Sequence, residues 1–152
     1  MPKLEYLCSY RADLEPPVEI GAVPFGTRQI FDVKGGTCEG PRLKGKLLAS
    51  GADWLLVGND GVGRLDVRGT LETDDGARIY IQYYGILVLD EKVVEALAEG
   101  RETSYGDTYF MTQPRFETGD TRYAWMNSIV AVAEGRVLPG AVEYRVFQVV
   151  ND

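Results

Sequence analysis

The chain has 152 residues and a formal net charge of −7, with 45% hydrophobic and 26% charged residues. This balance is typical of a folded globular domain and excludes a disordered or membrane-spanning chain, while the negative charge without any basic run argues against nucleic acid or anionic lipid as a partner. The absence of histidine excludes Ser-His and Cys-His nucleophiles and the common histidine-based metal sites.

The first 61 residues predict a series of antiparallel strands, because apolar segments alternate with turn-forming residues. The predicted strands run from Leu4 to Asp13, Arg28 to Val33, Leu43 to Leu48 and Asp53 to Val57. The turns between them are predicted at Pro16-Pro17, Gly35-Gly36, Gly40-Pro41 and Asn59-Asp60-Gly61.

The clearest element is a hairpin that begins with Val62 to Thr73. Its apolar positions Leu65, Val67 and Leu71 alternate with polar residues, which predicts a strand with one buried and one polar face. An Asp-Asp-Gly turn follows, and Arg78 to Leu89 returns as the partner strand.

One short helix is expected near 90–99, since Asp90 can cap its start and Gly100 can end it. The polar segment from Gly100 to Asp107 is expected to be a mobile loop at a rim. Further strands are predicted at Asp107 to Thr112, Trp125 to Glu134 and Val142 to Val150. Eight or more strands with one helix predict an all-β, mainly antiparallel closed barrel that forms a single domain over residues 1–152.

Other sequence features bear on location and cofactors. Cys8 and Cys38 are expected to be reduced core residues, although a disulfide is an alternative. No phosphate-binding glycine loop, Cys-x-x-Cys or Gly-x-Ser-x-Gly phrase is present, so no cofactor or metal is expected. A cytoplasmic location is expected, because no leader-like or membrane-length apolar run occurs.

Asp66 and Arg68 are the first candidate site residues. They lie two positions apart on a predicted strand and therefore point the same way. Inside a barrel, such a pair would leave guanidinium donors for an anionic or carbonyl ligand. The alternative is an ion pair on the solvent face.

A second candidate surface is aromatic. Tyr123, Trp125 and Asn127 share one face by strand alternation, and the segment containing Glu117 lies shortly before them. Two aromatic walls and one amide suit a flat or cyclic ligand. The alternative is that both aromatic side chains belong to the core.

Carboxylates could supply acid-base chemistry. If Asp53, Asp66 and Glu117 converge inside the barrel, burial and mutual repulsion would raise at least one pKa into a useful range. The alternative for Asp53 is loop capping. Trp54 and Tyr80 are further candidate ligand contacts, although strands favour aromatic residues on packing grounds alone.

Six ordered phrases carry a resemblance to a known family. They are Gly35 to Pro41, Gly51 to Trp54, Leu65 to Arg68, Asp75 to Tyr80, Arg115 to Gly119 and Tyr123 to Asn127. Together they resemble the domain of unknown function 3237 family, also called uncharacterised protein family 0311. The resemblance implies a small barrel similar to calycin or allene-oxide-cyclase-like barrels, often oligomeric and without an established activity. Cys38 and Gly69 depart from the aromatic residues expected there, which would reshape a pocket.

The leading functional hypothesis is a cofactor-free isomerase, cyclase or lyase acting on a small aromatic or cyclic carbonyl compound. In it, Asp66, Glu117 or Asp53 moves a proton, while Arg68 and the aromatic candidates position the substrate. The alternative is a binding or carrier protein for a similar small molecule. A homo-oligomer is expected, and a further alternative makes the aromatic face an interface between subunits.

Overall fold

The computed structural model describes every residue, 1–152, and contains ten strands, one α-helix and one 3₁₀ helix. The strands are β1 (Lys3–Leu14), β2 (Val18–Val23), β3 (Gly26–Glu39), β4 (Lys44–Val57), β5 (Val62–Thr73), β6 (Arg78–Val88), β7 (Phe110–Thr112), β8 (Arg115–Glu117), β9 (Val130–Leu138) and β10 (Ala141–Val150). The helices are α1 (Glu91–Ala98) and the 3₁₀ helix Thr121–Ser128.

Eight of these strands close into an antiparallel barrel. The order is β1-β10-β9-β7-β6-β5-β4-β3, and β1 also pairs with β3, which joins the two ends of the sheet. The remaining strands extend it, since β2 pairs with β3 and β8 pairs with β6. The predicted closed, mainly antiparallel all-β barrel is confirmed.

The β5–β6 hairpin forms as its alternation predicts. Leu65, Val67 and Leu71 are buried, whereas the polar residues between them, Asp66, Arg68 and Thr70, are partly or fully exposed. The turn is tied by the Thr73 hydroxyl, which accepts a hydrogen bond from the Ala77 backbone N–H at 2.8 Å. This hairpin fixes which residues of β5 face the interior of the barrel.

The two helices lie beside opposite ends of the barrel and each contributes to the core. Helix α1 follows the end of β6, and the Asp90 carboxylate caps it by accepting a hydrogen bond from the Val93 N–H at 3.2 Å. Val93 is fully buried in the core cluster. At the other end the 3₁₀ helix inserts Met126, which is 1% exposed, beside the start of β6.

Several sequence-based boundaries are wrong. The segment predicted as a strand from Trp125 begins instead within the 3₁₀ helix, and strand β9 starts only at Val130. The two strands predicted between Leu43 and Val57 are one strand with a register shift between Leu47 and Gly51. Strands β2 and β8 were not predicted.

The segment 100–107 is held against the barrel rather than free at its rim. Thr103 is buried, and its hydroxyl accepts a hydrogen bond from the Val137 N–H at 2.9 Å. The Tyr105 hydroxyl donates to the Glu143 carboxylate at 3.2 Å. Both contacts anchor the segment to β9 and β10, so the expected mobile loop lacks structural support.

Both thiols, Cys8 and Cys38, are free and buried, as the sequence led us to expect. A hydrogen bond with the neighbouring Cys38 thiol, together with burial, raises the pKa of the Cys8 thiol. Neither helix has the length and hydropathy needed to cross a membrane.

Gly51 and Gly69 face each other across β4 and β5, and they make a matched pair of substitution sites. Gly51 has a φ of +109°, and a Cβ there would collide with the Arg68 carbonyl. Gly69 has no positive φ, and its Cβ would lie 3.5 Å from Ile81 in ordinary contact. We therefore expect Gly51→Ala to destabilise the barrel by about 3 kcal/mol or more, and Gly69→Ala to change stability by less than about 1 kcal/mol. Urea unfolding of both variants measures the difference, and equal costs would contradict this account.

Candidate functional site

A small cavity of about 30 Å³ lies inside the barrel. Its walls come from β1, β3, β4, β5, β6 and β10 and are mostly apolar. Roughly 10–15 Å³ of such volume holds one water molecule, so the cavity has room for a few atoms. The polar side chains that line it are Asp53, Tyr10, Tyr83 and Tyr144.

Asp53 is the one charged group in the cavity wall. It lies on β4 opposite Phe31 and Val67, and its Oδ1 accepts a hydrogen bond from the Asp66 backbone N–H at 3.1 Å. Asp53 is therefore not a loop cap, because the group it holds belongs to the neighbouring strand β5. A half-buried carboxylate with one N–H donor remains poorly solvated.

The pKa of Asp53 is raised from 3.8 to about 7, chiefly by burial. The hydrogen bond from the Asp66 N–H opposes this rise, the Asp66 carboxylate adds to it, and Arg28 opposes it. Desolvation exceeds the two stabilising contributions because most of the surrounding atoms are apolar. The carboxyl group is therefore divided between its protonated and ionised forms near neutral pH.

Three tyrosines form a cluster around the cavity. The ring centroids of Tyr144 lie 4.9 Å from Tyr10 and 5.4 Å from Tyr83. The buried hydroxyl oxygens of Tyr10 and Tyr144 have no hydrogen-bond partner. Burial raises the pKa of all three, so each phenol stays protonated and available as a donor at neutral pH. The Tyr83 side chain influences the pKa of both Tyr10 and Tyr144, so the three phenols form one polar cluster at the cavity wall.

Asp66 and Arg68 lie on the outside of the barrel. They occupy the β5 positions between the buried residues Leu65, Val67 and Gly69, so their side chains point away from the cavity. Trp54, the neighbour of Asp53 on β4, is exposed on the same outer surface. Asp53, Asp66 and Glu117 do not converge inside the barrel, because alternation along β5 and β8 turns Asp66 and Glu117 outward.

Tyr80, Glu117 and Asn127 come together, but at an open surface depression of about 380 Å³. Tyr80 and Glu117 are directly paired between β6 and β8 and are exposed. The amide of Asn127 accepts from the Thr118 N–H at 2.8 Å and donates to the Thr118 carbonyl at 2.9 Å. That pair of bonds satisfies the Asn127 amide and fastens the 3₁₀ helix to the end of β8.

Tyr123 and Trp125 lie in the 3₁₀ helix, so the common strand face predicted for them with Asn127 does not exist. The Tyr123 hydroxyl donates to the Asp75 carboxylate at 2.9 Å, and Arg42 stacks 3.6 Å above the Trp125 ring. Both side chains pack partly against the core. Their contacts attach the 3₁₀ helix to the β3–β4 and β5–β6 turns.

The sequence analysis did not single out Tyr10 and Tyr144 as site residues. Alternation with Cys8 and Ala12 on β1, and with Val142 and Val146 on β10, would have placed both inside. Alternation predicts which face of a strand a residue occupies but not its position along the barrel axis. The local sequence therefore does not predict that these tyrosines cluster together. No group of three or more Cys, Asp or Glu side chains lies close enough to hold a metal ion.

Comparison with known proteins identifies the family. Residues 2–149 match the family model described as protein of unknown function, DUF3237. The chain belongs to the DUF3237 family. A UPF0311 protein of Clostridium acetobutylicum is 32% identical over 146 residues, which cover 95% of this chain and 92% of that relative.

Solved structures share the DUF3237 barrel. A β-barrel-like protein from Acinetobacter baumannii is 38% identical with a TM-score of 0.86, covering 99% of this chain and 97% of that one. A conserved protein of unknown function from Rhodopseudomonas palustris is 28% identical with a TM-score of 0.92, covering 99% of both chains. An enzyme from Penicillium herquei shares the fold at 21% identity, with a TM-score of 0.73 and coverage of 98% and 95%.

Replacing Asp53 changes how stability depends on pH. The folded pKa of about 7 lies above the ordinary aspartate pKa of 3.8, so the protonated form contributes stability that is full below pH 3.8 and is lost as pH rises through 7. Asp53→Asn keeps an oxygen for the Asp66 N–H but cannot ionise. We expect the stability of the variant relative to the native chain to increase by about 4 kcal/mol from about pH 4 to about pH 8.5, because the pKa difference is roughly three units at about 1.4 kcal/mol each. Denaturant unfolding at both pH values measures this gain, and parallel stability curves would contradict it.

The charges around Asp53 can be tested one at a time. We expect Asp66→Asn to lower the pKa of Asp53, because it removes a like charge and keeps the backbone donor. We expect Arg28→Gln to raise the same pKa, because it removes an attracting cation. Carbon-13 NMR titration of labelled aspartate carboxyl groups reads both shifts, and shifts of the opposite sign would contradict the assignment.

Proposed function

We propose that this DUF3237 protein is a cofactor-free catalyst of proton transfer on a small aromatic or cyclic carbonyl compound. The reaction class is isomerisation, cyclisation or lyase-type elimination. One observation carries the proposal: Asp53 has a pKa raised to about 7 and faces an interior cavity ringed by tyrosine hydroxyls. A carboxyl group with its pKa near the working pH can both take and return a proton.

The interior residues divide the chemistry between them. Ionised Asp53 would take the proton from the carbon next to the carbonyl, and that C–H electron pair becomes the double bond of an enolate. Negative charge then develops on the carbonyl oxygen, where Tyr10, Tyr83 or Tyr144 can donate a hydrogen bond. Protonated Asp53 finally returns its proton to the substrate at another atom, or to the group that leaves.

The volume of the cavity limits which part of a substrate can lie beside Asp53. Its volume of about 30 Å³ matches a carbonyl group and its neighbouring carbon rather than a whole ring. The proposal therefore places only the reacting end of the substrate beside Asp53, whose side chain keeps partial access to solvent. Gly69 lines the same cavity and adds space there, because it has no side chain.

A second candidate is non-catalytic binding of a small polar molecule at the outer depression. Its volume is about 380 Å³, and Tyr80, Arg115 and Glu117 line it. Neither Arg115 nor Glu117 appears in any ion pair of the structure. Free charges of both signs beside an aromatic ring suit a polar ligand, and this observation favours the carrier hypothesis over catalysis at that surface.

Proton exchange measures the proposed step without knowledge of the natural substrate. The protein is incubated in deuterium oxide with cyclic and aromatic ketones, including cyclohexanone and indanone, and loss of the hydrogens next to the carbonyl is followed by proton NMR. We expect exchange above the buffer rate that rises with pH and reaches half its plateau near 7, where Asp53 ionises. Asp53→Asn should reduce it by about a hundredfold or more.

Glu117→Gln is the matched control, because it neutralises a carboxylate on the outer surface. Exchange should stay within about twofold of the native rate in this variant. Ketone binding without exchange, lost in Glu117→Gln and kept in Asp53→Asn, would instead support the carrier hypothesis. Exchange at the buffer rate across the whole ketone series would overturn the catalytic proposal.

A further inference from the structure

Four large apolar side chains stand on the outer surface of neighbouring strands. Trp54 on β4, Tyr84 and Ile86 on β6 and Met111 on β7 are between 37% and 57% exposed. We call this set the outer aromatic face. The strand register makes this face continuous. Ile86 on β6 lies directly opposite Met111 on β7, and Tyr84 on β6 lies opposite Asp66 on β5, whose neighbour on β4 is Trp54. Contiguous apolar patches of this kind mark contact surfaces.

One charged residue lies within this face and a second lies at its edge. Asp66 is the β5 residue opposite Tyr84, and Arg68 follows two positions later, opposite Gln82. Arg64, opposite Ile86, is already paired with Asp60. The Oδ1 atom of Asp66 is covered by its surroundings and has no hydrogen-bond partner. Asp66 and Arg68 point the same way, yet they form no ion pair with each other or with any neighbour.

The spacing of Asp66 and Arg68 does not explain why they form no ion pair, as a second pair of charged residues on β1 shows. Arg11 and Asp13 have the same two-residue spacing on β1, and their side chains join at 2.9 Å. The spacing therefore permits pairing within one strand, and Asp66 and Arg68 do not use it. A carboxylate among aromatic side chains is poorly solvated until a cation meets it.

We propose that the outer aromatic face is a two-fold interface between two copies of this chain, in which Asp66 of each copy pairs with Arg68 of the other. In a two-fold contact every residue pair occurs twice with the roles exchanged. A face that carries one carboxylate and one guanidinium, on residues whose Cα atoms lie about 7 Å apart, is complementary to itself in that arrangement. The apolar side chains around the two ion pairs would exclude water from them.

The charge pattern favours a second copy over other occupants. A partner of one charge sign would satisfy either Asp66 or Arg68 and repel the other, whereas an identical copy satisfies both. Nucleic acid and anionic lipid are disfavoured as occupants, because both are anionic and the chain has a net charge of −7. This interface would form whether or not the protein transfers protons, because its side chains point away from the cavity.

Charge exchange provides the test. Sedimentation equilibrium at tens of micromolar chain should give the native protein an even number of copies of the 16.8 kDa chain. Asp66→Arg alone and Arg68→Asp alone should each halve that mass, because they place like charges against each other. The double variant carrying both changes in one chain should restore the native mass, since the exchanged pairs are again complementary.

The matched control is Asp13→Arg and Arg11→Asp, which make the same charge changes on β1. Both should keep the native mass. Circular dichroism of every variant establishes that the barrel is folded. A native monomer, a native trimer, single variants with unchanged mass, or a double variant that stays dissociated would each overturn the proposed interface.

Discussion

The pairing of β1 with β3 is the contact on which the rest of the barrel depends. It runs from Ser9 opposite Glu39 to Leu14 opposite Val33 and joins the two ends of a sheet that would otherwise be open. Closure removes the exposed edges and divides every strand into an inside and an outside. It also needs sharply bent strands, and the register shifts in β3 and β4 supply that bend, with Gly51 at a φ that other residues avoid.

The wall between inside and outside is only one strand thick, so chemistry on the two surfaces is linked. Asp66 illustrates this link, because its backbone N–H holds Asp53 while its carboxylate stands on the outer face. The backbone N–H of Asp66 lowers the pKa of Asp53, and the Asp66 carboxylate raises it. A cation that met the Asp66 carboxylate from outside would weaken the second effect, so occupation of the outer aromatic face would be felt at Asp53.

Sequence patterns were most informative where burial is one-sided. In β5 the alternation of Leu65, Val67 and Leu71 with polar residues gave the strand, its turn and its inner face correctly. The same reasoning failed for Tyr123, Trp125 and Asn127, because alternating aromatic residues also occur in a helix that caps a barrel end. The sequence predicts two short strands where β4 is one, and a turn at Gly35-Gly36 where β3 continues. The reason is that a glycine within a strand and a glycine in a turn have the same local sequence.

The sequence by itself determined the fold class, the absence of histidine chemistry and the inward or outward direction of most side chains on β5, because these follow from composition and a period of two. Only the tertiary structure decided that Asp53 lines one cavity with Tyr10, Tyr83 and Tyr144, and that Asp66 and Glu117 lie outside it. The four cavity residues come from β1, β4, β6 and β10, and the strand registers and the barrel closure bring them to the same level. The pKa of Asp53 is likewise a tertiary property, because the apolar atoms that raise it arrive from distant parts of the chain.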